Sequence, residues 1–302
     1  MQNTRQWMVT HEWMQKNTRQ TEWIDRRGIL LWLAFYVGGL GGGLFLVSVL
    51  FNSIWGMALG WLLAAVLKGV LNFTDLGRPT RVWRLVLNPR SSWLSRGLLF
   101  VMLFAVFGFL EIAVSLLVPD STILLIALKI LSGIFALGVM AYSGFVLNNV
   151  KGIPNWGLTM LPVLFVSCSL LGGFGLISAI SAFTPNLDRS LIDMASRGLL
   201  LVNTLLVALY LVLTLIKDST GKKSVLYQLK GEIAWIFWLG LGLSGVAIVL
   251  AFSFPRNLSG APISIPLLVA VAGEIASCLL MTYCVLKSAI YVPLVCQKSR
   301  AI

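Results

Sequence analysis

The sequence predicts an all-α integral membrane protein with eight transmembrane helices, which the polar stretch "NNVKGIPNWG", Asn148 to Gly157, divides into two four-helix halves. Three observations lead to the spanning helices. The 302-residue chain is 58% hydrophobic and only 11% charged, which is too apolar for a soluble domain of that size. Its apolar residues fall into eight long runs with few charges. The connections between those runs alternate in charge, with 18 basic residues on one side and 3 on the other.

The runs lie at 28–51, 53–73, 97–118, 122–147, 155–183, 191–216, 232–252 and 264–289. Each reaches the roughly 20 residues a spanning helix needs and far exceeds the roughly 10 of a barrel strand. Hydrocarbon offers no partner for a free backbone N–H, so helix is the only spanning form that suits them. Residues 1–27 form a polar, basic tail. The first bundle is expected over 28–147, a connecting loop over 148–154, the second bundle over 155–289 and a C-terminal tail over 290–302. The N-terminal tail repeats "NTRQ" at Asn3 and Asn17, and its Trp7, Trp13 and Trp23 suit a headgroup layer. No cleavable signal peptide is expected, because the first apolar run follows a long polar stretch and itself spans.

The side of the N-terminus is called side A. It carries the tail arginines, then Arg78, Arg81, Arg84, Arg90 and Arg96 after the second run. Lys151, Lys217, Lys222, Lys223, Lys230, Lys287, Lys298 and Arg300 also fall there, against Arg189, Arg197 and Arg256 on side B. Taken alone, this bias places side A in the cytoplasm. An even helix count leaves both termini on side A. Membrane lipids, not nucleic acid, are the expected contact of the basic loops.

Four features could carry chemistry. The first run contains "YVGGLGGG", Tyr36 to Gly43. No strand precedes it, so it is not a dinucleotide fingerprint. Small residues at helical spacing admit a close neighbour helix, although a flat ligand could also use the bare face around Gly39. The second feature, "LNFTDLGRPTRVWRLVLNPRSSWLSRG", packs five arginines, Asp75 and two prolines between two apolar runs. It reads either as lipid-phosphate binding and topology, or as a polar pocket at the membrane rim. In the pocket, Asp75 accepts a proton while Arg78 and Arg81 hold geometry. Third, Tyr142 lies near the A end of the fourth run, and Pro162 is expected to kink the fifth. Fourth come charges within the runs. Glu111 and Lys129 share a depth on adjacent helices and are expected to pair. Glu274 and Lys68 have no evident partner, and Lys68 is expected either to snorkel or to join a relay. Glu111, Lys129 and Glu274 are the candidate proton relay.

Metal chemistry is not expected in this chain. His11 is the only histidine, so a haem with two histidine ligands has no source. Cys168, Cys278, Cys284 and Cys296 form no CxxC pair, which argues against an iron–sulfur cluster.

The segment "DLGRPTRVWRLVLNPRSSWLSRG" after the second run, with "YSGFVL", "IPNWG" and "LPVLFVSCSLLGG" further on, resembles the NrfD/PsrC family over about residues 28–290. These are the integral membrane subunits of polysulfide, thiosulfate and tetrathionate-type reductase complexes. The resemblance implies two four-helix bundles in a prokaryotic plasma membrane and no bound redox metal. It also implies reversible binding of menaquinone or ubiquinone. Electrons would pass between the quinone and a ferredoxin-like iron–sulfur subunit, which in turn serves a molybdopterin or other catalytic subunit. Carried over by position, the quinone pocket would involve Asp75, Gly77, Arg78, Arg81 and Tyr142, with Asp75 and Tyr142 catalytic. Some members use polar residues in the first helix. Here Leu31 and Ala34 occupy that neighbourhood, and Tyr36 is the nearest polar candidate. Many relatives carry pocket, partner and termini on the outer face, against the charge bias. The expectation is therefore that these three share side A, whichever compartment that is. Quinol oxidation is the favoured direction. A secondary transporter for a small anion is the alternative, and a purely structural anchor a third. Copurification of an iron–sulfur subunit separates them.

Overall fold

The computed structural model describes residues 17–25, 28–76, 90, 92–184, 187–253 and 265–292, with the side chains of 245–253 and 265–267 outside the description. Nine helices and one two-stranded ribbon make up these residues. Helix α1 is Gly28–Leu50, α2 Ile54–Asp75, α3 Trp93–Leu117, α4 Thr122–Asn148, α5 Leu161–Ser181 and α6 Arg189–Lys217. Helix α7 is Ser219–Lys230, α8 Ala234–Ser253 and α9 Ile265–Lys287. Seven stretches among the described residues are long and apolar enough to cross a membrane: α1 to α6, and Leu268–Lys287 of α9. Helix α8 is 20 residues long and occupies the expected seventh run.

Helices α1 to α4 pack together, as do α5, α6, α8 and α9, and α1 joins the two groups by lying along α5. The apolar windows of α1 and α5 are 67% and 61% buried, whereas those of α2, α3 and α6 are 22% to 28% buried. The outer helices turn residues such as Leu117, Ile123 and Leu205 outward. In a bilayer that surface faces lipid and needs no protein cover. The glycine run of α1 explains the close centre. A Cβ at Gly43 would run into the Ser169 backbone of α5, one at Gly41 into the backbone of Gly60 and Ala64 of α2, and one at Gly42 into α4 at Met140 and Ala136. Small residues here admit three neighbours, so the close-approach reading of "YVGGLGGG" holds.

Strand β1, Thr18–Arg19, pairs antiparallel with β2, Ile290–Tyr291. The two ends of the helical body therefore meet at one end of the molecule. Lys287 Nζ lies 2.5 Å from Asp25 and Arg19 Nη1 3.0 Å from Glu232, which tie the same region together.

Three expectations are corrected. Pro162 does not kink α5: residues 155–160 are not helical, the helix begins at Leu161, and the proline sits in the first turn. Its missing N–H is harmless there. The lysine-rich stretch after α6 is not a loop but helix α7, capped by Asp218, whose carboxylate accepts from Gly221 N at 2.5 Å. Its buried stripe is Thr220, Gly221, Ser224, Val225 and Gln228, a helical period written mostly in small and polar residues. Lys68 does not snorkel; it is wholly buried.

Candidate functional site

The last turns of α2 carry Lys68, Asn72 and Asp75 at i, i+4 and i+7, which is one helix face. They span about 10 Å along the axis. Lys68 is buried, and Asn72 and Asp75 are half-buried. Asp75 is the final residue of the helix. A carboxylate there faces the negative end of the helix dipole, at a cost of about 0.3–1 kcal/mol, so helix stability does not explain it.

A π-helical segment, Leu62–Leu67, precedes Lys68 directly. In a regular α-helix a four-residue repeat rotates by about 40° per step. The wider i+5 turn keeps Gly60, Ala64 and Lys68 in line toward α1, and all three are buried. On α1, Gly38 leaves a slot for the lysine stem: a Cβ there would lie 2.8 Å from Lys68 Cε and closer still to Cδ and Nζ. Lys68 Nζ donates to the Ala34 carbonyl at 3.3 Å and stands 4.3 Å from the centroid of the Tyr142 ring.

Tyr142 of α4 is buried where four helices converge. It meets Phe35 of α1 edge-on at 5.9 Å, and Gly97 of α3 makes room for its ring. The Asn72 side chain lies near its hydroxyl. The structure thus gathers Tyr142 with the α2 face that ends at Asp75. Gly77, Arg78 and Arg81 lie outside the described residues. Lys68, read from sequence as snorkelling or joining a relay, and Asn72, not singled out there, complete the group. The polar atom at Ala34, where the sequence shows no polar side chain, comes from α2.

Tyr36 and Gly39 belong elsewhere. The Tyr36 hydroxyl donates to the Ile275 carbonyl of α9 at 2.7 Å, and a Cβ on Gly39 would strike Ser169 Oγ of α5. Both serve the contact between the two groups of helices. The motif "IPNWG" is similarly structural: Trp156 is fully buried and its Nε1 donates to Val285 O at 2.9 Å.

The relay candidates do not form one group. Glu111 is fully buried and accepts a hydrogen bond from Ser132 Oγ. Lys129 Nζ donates to Asn52 Oδ1 at 2.5 Å and does not form the expected contact salt bridge with Glu111, although it lies near enough to act on Glu111 electrostatically. Asn52 sits in the left-handed region, φ 53°, in the α1–α2 turn and thereby offers its side chain to α4. Glu274 is fully buried in α9 and accepts from Ser196 Oγ of α6 at 3.4 Å. Ser277 Oγ donates to the Glu274 carbonyl at 2.9 Å and borders a cavity of about 30 Å³ with Asn203, Thr204, Ser244 and Met281. That space suits a water and not a ring system. Cys168, Cys278 and Cys284 are buried free thiols. Among the described residues no group of three or more His, Cys, Asp or Glu side chains is placed to hold a metal.

Fold and site together define a polytopic helical membrane protein with a polar group buried at one end of its first four helices. The family model of polysulphide reductase NrfD matches residues 23–293, and the chain belongs to that family. Its members are membrane subunits of reductase complexes linked to quinone. None of the curated proteins compared with it matches the chain.

Proposed function

We propose that this chain is the membrane anchor subunit of a respiratory oxidoreductase complex. It exchanges electrons between membrane quinol or quinone and an iron–sulfur partner subunit, with quinol oxidation the working direction. A catalytic subunit, of molybdopterin type, lies beyond the partner. The observation that carries the reading is the convergence of Lys68, Asn72 and Tyr142 at one end of the first four helices, on the α2 face that ends at Asp75.

These residues fit a ring bearing two oxygens. Tyr142 offers a hydroxyl and Asn72 an amide, and Asp75 offers a carboxylate at the mouth. A bound quinol supplies two electrons and two protons. Asp75 accepts the first proton, and its place at the end of α2 lets it pass that proton to water. Tyr142 orients one ring oxygen, and Arg78 or Arg81 stabilises negative charge where it develops. Menaquinol and ubiquinol both meet these requirements. Helix α8 counts as the eighth crossing, because paired chain ends require an even number. The partner, pocket and both termini share side A of the prokaryotic plasma membrane.

The test uses the intact complex. Asp75→Ala and Tyr142→Phe are expected to abolish quinol-dependent turnover while an artificial electron donor to the partner still supports it. Retained quinol activity in both variants removes the assignment.

A further inference from the structure

The geometry points to Lys68 as a positioning and selectivity residue for the proposed quinone site: its buried amine, seated in the Gly38 slot against Tyr142, biases that site toward ring ligands carrying negative charge. The inference rests on the reading above and adds a residue that the family motif does not contain.

Three features set Lys68 apart. It is wholly buried, although lysine stems normally reach for water. No carboxylate among the described residues pairs with it; its contacts are the Ala34 carbonyl at 3.3 Å and the Tyr142 ring at 4.3 Å. The surroundings are shaped for it, by Gly38 opposite the stem and by the π-helical turn that aims it at α1. Burying a lysine without a counter-ion is costly, and a packing role alone would be met as well by methionine or leucine.

The placement has two consequences. An N–H over the ring face holds Tyr142 in one orientation, so the hydroxyl is aimed before ligand arrives. An anionic ring oxygen nearby keeps the nitrogen protonated, and the positive charge is then felt over several ångströms inside a low-dielectric bundle. A ligand whose ring oxygen is anionic gains from that charge, and a neutral one does not. Asp75, about 10 Å away along α2, is the nearest described carboxylate on the same face.

The experiment compares two probes on the purified complex: a neutral alkyl-naphthoquinone and its 2-hydroxy analogue, which is anionic at neutral pH. Binding is read by quenching of intrinsic tryptophan fluorescence. In the parent protein the hydroxy analogue is expected to bind more tightly. Lys68→Met should weaken the anionic probe about tenfold and leave the neutral probe within about twofold. Gly38→Ala keeps the lysine but fills its slot. Because the obstructing atoms are the far end of a flexible side chain, it should expel the amine and reproduce the same selective loss. Equal weakening of both probes, or no change in either, overturns the role of Lys68 and leaves the quinone reading standing. If the parent protein binds neither probe, the quinone reading itself fails. Should Lys68→Met not assemble, Gly38→Ala decides alone.

Discussion

Gly173 offers the sharpest test of how the two groups of helices are joined. A Cβ at that position in α5 would lie 2.5 Å from Gly43 C, 2.6 Å from Leu44 N and 2.7 Å from Gly43 O. All three are backbone atoms of α1 and cannot swing aside. Relief to an ordinary 3.4 Å contact requires α1 and α5 to part by about 0.9 Å. Those helices are the most buried spans, so the separation opens the centre of the molecule. Overpacking of this kind costs about 1–3 kcal/mol, and a backbone-on-backbone clash belongs at the upper end. Gly198→Ala is the matched control: it lies within α6 and its Cβ would meet nothing within 4 Å. It should be neutral, or stabilising by up to about 1 kcal/mol through helix propensity. The assay is reversible unfolding in mixed micelles, titrated with SDS and followed by circular dichroism. A gap of at least about 2 kcal/mol between the variants is expected. Equal stability of Gly173→Ala and Gly198→Ala would refute the close α1–α5 packing.

Two further outcomes follow from named contacts. A double-mutant cycle should show coupling between Glu111 and Ser132 of about 1 kcal/mol or more, because each satisfies the other in an apolar setting. The cycle between Glu111 and Lys129 should show less, since Lys129 is engaged by Asn52. Glu232 accepts from Arg19 at 3.0 Å and from Tyr227 at 3.1 Å, and the Arg19 bond, then the Tyr227 bond, hold its carboxyl below the usual carboxylate range. A depressed folded pKa means the contribution is full above the unfolded value, near about 4.3, and fades as pH falls through the folded value. Acidification past that range should speed hydrogen exchange at the Gln20 amide, which bonds Ala289 O at 2.9 Å beside β1. Glu232→Gln should flatten the pH dependence, and an unchanged profile would show that the ribbon is held by other means.

The helices were legible because hydrocarbon imposes a length and a composition. The expected runs 28–51 and 122–147 match α1 and α4 within a residue at either end. Helix α7 was not legible, because its buried face is written in threonine, glycine, serine and glutamine, which hydropathy scores as loop. Pro162 misled because a sequence does not show where a helix begins, and one turn of offset changes a kink into a start. The Glu111–Lys129 pair was inferred from equal depth alone. Depth leaves rotation about each helix axis undetermined, and that rotation delivers Ser132 to Glu111 and Asn52 to Lys129. Lys68 was misread for a related reason. Only the tertiary packing reveals that Gly38, thirty residues earlier, leaves it a place inside. Tyr142 and Asp75 were noted from the residues and strengthened by the family motif, Lys68 was noted only as a charge within a run, and the half-buried Asn72 emerged only from packing. Several basic residues counted as reporters of topology also have structural work: Arg19, Lys217 and Lys287 each tie one segment to another.

Photolabelling of the assembled complex with an azido-quinone, with the modified peptides mapped by mass spectrometry, asks whether the A end of the first four helices receives a quinone. Label is expected on the α2 segment from Lys68 to Asp75 and on α4 around Tyr142, displaced by excess unlabelled quinone. Competed label confined to α6, α8 and α9 around the Asn203–Ser277 cavity, with none on α2 or α4, would contradict quinone binding at that end.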